Sequence, residues 1–272
     1  MAYSKSKIPT CLLAEYRLPI YKIGRHQRGC ENFETDTKYG GFTLMPTEEI
    51  SSHSVLPTAR HRDVLDAVHA CAKEAFIDGA RQLVIVFDDA DVRSLLGRDF
   101  KWRDIYQYLS ALVGVRLRIW KSGCEATTST DTFTILARIR VSDKPAKRKP
   151  GQYPANTKMI VYSAGFVENM LFNEPTLRVN KDVIRKTLAL TNQVSRSCVR
   201  WLLSHKGDQH HNADDVLRYV GFDSSDRQLR DYLKQLKDDA VAMKDLKIEL
   251  VDGVFHTKRH PGVFFNKGIG SV

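Results

Sequence analysis

The chain has no pair of cysteines at CxxC spacing. Its five cysteines (Cys11, Cys30, Cys71, Cys124 and Cys198) are odd in number and far apart. That pattern suggests neither a zinc ribbon nor a disulfide framework, and a reducing cytoplasm is the expected location. No GxxxxGK[ST] loop and no GxSxG elbow is present, so neither a P-loop ATPase nor that type of hydrolase is indicated. The His-apolar-His pair of a rolling-circle nicking enzyme is also missing. No apolar run approaches the ~18 residues of a membrane span, and the N-terminus lacks a charged-then-apolar leader. Two features invite a metal. Asp88, Asp89 and Asp91 have a sufficient role before a helix, where carboxylates satisfy free N–H groups and the helix dipole. His210 and His211 have no third ligand at suitable spacing and read as a polar loop. The expectation is a protein that is not an enzyme, with no catalytic residue, metal, cofactor or membrane contact.

What is present is positive charge. Forty-two Lys and Arg against 32 Asp and Glu give a net charge of +10 and a pI near 9.4, which favours a polyanionic partner. The 272 residues accommodate two domains, and 42% hydrophobic residues support packed cores.

One stretch occurs twice. Residues 91–112 (DVRSLLGRDFKWRDIYQYLSAL) and 215–236 (DVLRYVGFDSSDRQLRDYLKQL) align without a gap, 124 positions apart, with eight identities. Each copy reads as a short helix, a glycine (Gly97 or Gly221) suited to a left-handed position, and a longer helix. The longer helices place Ile105, Tyr108, Leu109 and Leu112, or Leu229, Tyr232, Leu233 and Leu236, on one face at i, i+3, i+4, i+7. The opposite faces carry Arg103, Gln107 and Ser110, or Ser224, Arg227, Asp231 and Lys234. This is the description of a helix-turn-helix. An ordinary pair of core helices is the alternative.

Residues 1–55 read as an arm with an extended segment around Leu12–Ile23 and a turn at Tyr39–Phe42, packing on the first domain or on a second subunit. A helix is expected from Ala59 to Phe76, with Val64, Leu65, Val68, Cys71, Ala72 and Ala75 inward. Gln82–Phe87 is a buried strand. After the first repeat, Val115–Trp120 and Thr132–Arg140 alternate with period two and form a hairpin. Trp102 reads as packing on that hairpin, in preference to contacting DNA. Residues 143–151 (DKPAKRKPG) read as a linker, where Lys147, Arg148 and Lys149 either follow a phosphate backbone or form a solvated spacer. The second half follows: a strand at Lys158–Tyr162, a short apolar helix or turn within 166–172, and helices near 181–190 and 192–205. Val194, Cys198, Val199, Trp201 and Leu202 are core candidates. Asn212 or Asp214 caps the next helix, then come the second repeat and a hairpin around Asp252-Gly253. The fold class is therefore α+β: two tandem winged-helix domains related by an internal repeat. Their bounds are an arm at 1–55, domain 1 at 56–142, a basic linker at 143–152 and domain 2 at 153–272.

Over about residues 158–260, through SCVRWLLSHKG, DDVLRYVG, RQLRDYLKQLKD and the terminal hairpin, the chain resembles the two-winged-helix replication initiators of bacterial plasmids. The resemblance implies binding to double-stranded DNA at origin direct repeats, opening of an adjacent AT-rich segment, and recruitment of host replication proteins such as the initiator or helicase. It also implies a homodimer for self-repression. It places Arg103 and Gln107, with Arg227, Arg230 and Lys234, in the major groove. Lys101, Ser224, the linker cations and the wing residues Lys258 and Arg259 complete the expected DNA-contacting set. Arg pairs with guanine, Gln with adenine, and Lys neutralises phosphate. A tandem winged-helix transcriptional repressor without a replication role is the alternative, and an interaction scaffold is a third reading.

Overall fold

The computed structural model describes residues 11–12, 16, 21, 33–37, 40–46, 57–97, 100–120, 132–141, 157–168, 176–221 and 226–266, and they form a mixed α/β fold. Helix α1 (Ala59–Ala70) starts where the Thr58 N–H donates to His61 Nδ1 at 2.9 Å, and it buries Val64, Leu65 and Val68. It stops six residues before the expected Phe76, because Glu74–Ile77 is a strand, β4, paired antiparallel with β5 (Leu83–Asp88). The Asp78 carboxylate accepts from the N–H groups of Ala80 and Gln82 and shapes the turn between them. Pairing with β5 satisfies the backbone of 74–77, and this outweighs the helical spacing of Cys71, Ala72 and Ala75.

The β5 strand is buried on both sides, which accounts for its unbroken apolar run. Leu83, Ile85 and Phe87 join the main core, while Val84 and Val86 meet Val161 in a small second cluster. The sheet order is β4-β5-β9-β8, where β8 is Leu136–Val141 and β9 is Thr157–Tyr162. The sequence assigns β9 to the second half. In the structure it lies between β5 and β8, in a sheet of the first.

After β5 come α2 (Asp89–Leu96), α3 (Trp102–Val113) and β6 (Val115–Trp120). The expected hairpin exists, with β6 paired to β7 (Thr132–Thr134). The expected second strand, however, divides at Ile135. One part stays with β6 and the other, β8, leaves for β9. The Ser163 N–H donates to the Ile135 carbonyl at 3.2 Å and holds the break. On the far edge of β6 lies β3 (Gly40–Pro46), paired with β2 (Phe33–Thr37). Gly40 and Gly41, expected in a turn, therefore belong to a strand.

The second half contains α4 (Ala164–Glu168), β10 (Thr176–Val179), α5 (Lys181–Leu188), α6 (Gln193–Leu203), β11 (Gln209–Asn212), α7 (Ala213–Tyr219) and α8 (Asp226–Asp238). Then follow α9 (Ala240–Met243), a 3-10 turn at Lys244–Leu246, β12 (Ile248–Val251), β13 (Val254–Thr257) and β14 (Val263–Asn266). His210 and His211 sit on strand β11, not in a loop, because β11 pairs along the whole of β13 in the order β11-β13-β12. Asp252 and Gly253 have φ of 50° and 77°, the signs a tight two-residue hairpin requires. Trp201 is fully buried and stacks on Tyr219 at 5.2 Å, with His211 edge-on at 4.9 Å, so α6, α7 and β11 meet around one indole.

The two halves share one core, joined by a buried ionic lattice. Arg200 on α6 donates to Asp63 at 2.6 Å and to Asp66 at 2.7 Å, both on α1. Arg62 adds two bonds to Asp66, and Arg196 sits 3.1 Å from Asp63. Burial pushes the Asp66 pKa upward, but the Arg62 and Arg200 guanidiniums outweigh it and hold this carboxyl below its ordinary value. The arm reaches both halves. Its β1 (Cys11–Leu12) pairs with β10, which pairs with β14, while Tyr16 and Tyr21 lie 5.1 and 5.8 Å from the Arg62 guanidinium.

Candidate nucleic-acid interface

Both repeat copies fold as two helices around a positive-φ glycine. Gly97 has φ 109° and ψ 165°, an extended region open essentially to glycine alone, not the left-handed helical region expected. Gly221 has φ 89°. The first helix of copy one is capped as expected, since Asp88 Oδ1 accepts from the Ala90 N–H at 2.9 Å. That bond, then Lys73 at 3.2 Å, holds the Asp88 carboxyl below its ordinary pKa against the opposing effect of burial. In copy two the N-cap position falls to Asn212, and its side chain makes no capping bond.

Helix α3 turns Ile105, Leu109 and Leu112 fully inward and leaves Arg103 and Gln107 exposed, four residues apart on one side. Lys101 is exposed just before the helix, where its backbone N–H donates to Asp104 at 3.0 Å. Trp102 is half-buried and packs away from the hairpin that the sequence suggested. Its ring lies 6.4 Å from Phe87 of β5, and Lys158 Nζ of β9 lies 5.2 Å above it. The reason is register: Phe87 and Lys158 are cross-strand partners, so β5 and β9 offer the indole a ready apolar and cationic bed.

Helix α8 buries Leu236 and half-buries Leu229, Tyr232 and Leu233. Its exposed face carries Arg230, Asp231 and Lys234. Ser224, the Arg227 side chain and Lys147, Arg148 and Lys149 lie outside the described residues. The base of α8 is fixed by Asp239, whose carboxylate accepts from the Thr191 and Asn192 N–H groups, each at 2.9 Å, at the start of α6.

Lys258 and Arg259 are exposed, but not at the hairpin turn. They follow the end of β13, where the Lys258 N–H donates to Lys247 O at 3.0 Å. A four-residue strand separates them from Asp252-Gly253 by roughly 13 Å. Around them the structure brings cations from other segments that the sequence pattern did not single out: Lys186 and Lys247, close to His260, and Lys206, over the Phe265 ring. Their wide spacing in the chain hides the cluster. Among the described residues, no group of three or more His, Cys, Asp or Glu side chains is placed to hold a metal ion. No described helix is long and apolar enough to cross a membrane.

No family model and no curated protein matches the sequence. The fold is similar to the crystal structure of a selenomethionine derivative of domains 2 and 3 of RctB, with a TM-score of 0.56 at 11% identity, covering 93% of this chain and 95% of that one. A second crystal structure of the same RctB domains has a TM-score of 0.49 at 12% identity with the same coverage.

Proposed function

We propose that the chain is an origin-binding replication initiator of the plasmid type, built from two winged-helix units related by the internal repeat. One observation carries the reading. In each copy a short helix, a positive-φ glycine and a longer helix precede an antiparallel hairpin, and the longer helix turns Arg, Lys or Gln to solvent. In the second half, β11 joins β13 and β12 in one three-stranded sheet, an arrangement that supports the winged-helix reading. The similarity in fold to domains 2 and 3 of RctB, a replication initiator, supports the reading. On this proposal α3 and α8 enter the major groove, with Arg103, Gln107, Arg227, Arg230 and Lys234 facing base edges and backbone. The protein uses no cofactor and catalyses no reaction. It works in the cytoplasm beside the plasmid, as monomer or dimer, and recruits host replication proteins.

Footprinting on DNA flanking the gene tests this. The expected result is protection of short direct repeats, roughly 20 bp where both units engage one face of a duplex. Permanganate reactivity of an adjacent AT-rich segment separates an initiator from a repressor, which leaves that segment closed. Binding that does not distinguish the flank from random DNA sinks the proposal.

A further inference from the structure

The two longer helices of the repeat turn different chemistry outward at one aligned position. Arg230 of α8 is exposed there, and the residue 124 positions earlier is Tyr106 of α3. Tyr106 is 43% exposed. It stands on the outward face beside Gln107 and one turn on from Arg103, both exposed. Among the described residues, Tyr106 and Phe264 are the exposed aromatic side chains, and Phe264 is met by the Arg178 guanidinium at 4.3 Å. The Tyr106 ring has a support behind it. One turn back, Trp102 lies 6.1 Å away. Trp102 in turn lies against Phe87 of β5 and under Lys158 of β9. An aromatic row therefore runs from the buried Phe87 to the surface and sets where the outermost ring stands. Copy two carries Asp226 at the position aligned with Trp102, so the middle ring is particular to copy one.

We propose that Tyr106 is a base-reading residue that meets the 5-methyl group of a thymine in the major groove. The proposal rests on the duplex-binding part of the initiator reading and adds a residue to the set that reading names. The chemistry of the ring chooses the partner. Phosphate is met by charge and by hydroxyl or amide donors, and only the hydroxyl of Tyr106 suits it. The ring supplies most of the exposed surface, and the apolar feature that a base pair shows the major groove is the thymine methyl. The place beside Gln107, in line with Arg103, puts the ring among the residues that face base edges. The two units then prefer different base pairs: α3 takes A·T through Tyr106 and Gln107, and α8 takes G·C through Arg230.

Fluorescence anisotropy on the full chain tests this. The probes are the gene-flanking duplex and copies of it in which each protected thymine is replaced singly by deoxyuridine, which removes the methyl and keeps the pairing. The parent is expected to bind at least one uracil duplex roughly fourfold more weakly, the effect of one buried methyl-sized group. Tyr106→Ala is expected to bind the thymine duplex at least that much more weakly than the parent, and to bind the same uracil duplex no worse than the thymine one. Tyr106→Phe keeps the ring and is expected to keep the uracil loss. The log–log salt slope is expected to be the same for all three proteins, because no phosphate contact is removed. Tyr106 is exposed, and circular dichroism checks that both variants fold. A merely structural role lowers affinity on every duplex alike and leaves the uracil loss in place. Three results overturn the proposal: a parent that prefers the flank but is indifferent to every uracil, a Tyr106→Ala variant that keeps the uracil loss, or a Tyr106→Phe variant that matches Tyr106→Ala with a flatter salt slope, which makes the hydroxyl a phosphate contact. A parent that binds the flank no better than random duplex overturns the initiator reading and this proposal with it. A parent that shows the uracil loss but leaves the AT-rich segment unreactive to permanganate overturns the initiator role alone, and the thymine contact stands.

Discussion

The two repeat copies share eight residues and one order of short helix, positive-φ glycine and longer helix, yet their longer helices are buried to different depths. Ile105, Leu109 and Leu112 of α3 are fully buried, whereas Leu229, Tyr232 and Leu233 of α8 are only half-buried and Leu236 alone is closed off. The surroundings differ, not the pattern. Helix α3 lies against α1 and β8, where two four-stranded sheets enclose the first half. Helix α8 lies against α6 and α9 beside one three-stranded sheet. The repeated residues specify the local geometry, and the chain outside the repeat sets how deeply each copy sits.

The largest expected effect tests whether the halves are one unit. Arg200→Met removes the centre of the lattice between α1 and α6 and leaves Asp63 and Asp66 short of charge. The expected cost is about 3–5 kcal/mol, read as a lower urea midpoint. The lattice also sets an acid limit. Because the folded pKa of Asp66 is below its ordinary value, its contribution is present above about pH 4 and is lost as pH falls through the folded value. A variant as stable as the parent would show that the halves are held by apolar contacts alone.

Next comes the contrast in depth itself. Leu109→Ala opens a cavity in a closed core and is expected to cost about 2–5 kcal/mol. Leu233→Ala, at the equivalent place in copy two, meets solvent on one side and is expected to cost about half as much. Urea denaturation of both variants decides it, and equal losses would contradict the difference in burial.

Much of this was legible in the sequence, and the failures have physical causes. The repeat, both helix pairs, the Asp252-Gly253 turn and the core set Val194, Cys198, Val199, Trp201 and Leu202 follow from local spacing and turn chemistry. What local spacing cannot show is a partner distant in the chain. Residues 71–76 keep helical spacing, but β5 captures Glu74–Ile77 as a strand. The destination of β9, the division of Thr132–Arg140 at Ile135 and the strand at His210–His211 all depend on pairing across tens of residues. The burial of Arg62, Asp63 and Asp66 likewise depends on a distant partner, because Arg196 and Arg200 of α6 complete their lattice. For the candidate interface, exposure of Arg103, Gln107 and Lys234 followed from helical phase, whereas Arg230 came from the resemblance. The approach of Lys186 and Lys206 to the segment that holds Lys258 and Arg259 did not, because they come from segments tens of residues away.

A smaller effect compares the outward faces. Gln107→Ala on α3, if it meets an adenine, is expected to cost ~1–3 kcal/mol on the cognate site and little on random duplex. Lys234→Ala on α8, as a phosphate contact, is expected to weaken both about equally and to flatten the salt slope by about one unit. Anisotropy on cognate and scrambled duplexes at several salt concentrations separates them. The same loss on both duplexes for Gln107→Ala would remove it from base reading.

The smallest effect is the sharpest use of the repeat, because Asp88 and Asn212 are equivalent positions, 124 residues apart, each the N-cap of a short helix. Their side chains behave differently. Asp88 bonds the Ala90 N–H at 2.9 Å and pairs with Lys73, whereas Asn212 makes no capping bond. A negative group at a helix start also meets the positive end of the dipole, which a neutral amide does not. Asp88→Ala is therefore expected to cost roughly 0.5–2 kcal/mol, and Asn212→Ala no more than about 0.5 kcal/mol, the usual range for a surface change. Neither is expected to create a defect in DNA nicking or nucleotide hydrolysis, since capping is their whole role. Chemical denaturation of the two variants reads the stability difference. Equal losses would mean that Asn212 caps its helix in solution. A DNA nick made by the parent and absent in Asp88→Ala would return Asp88 to catalysis.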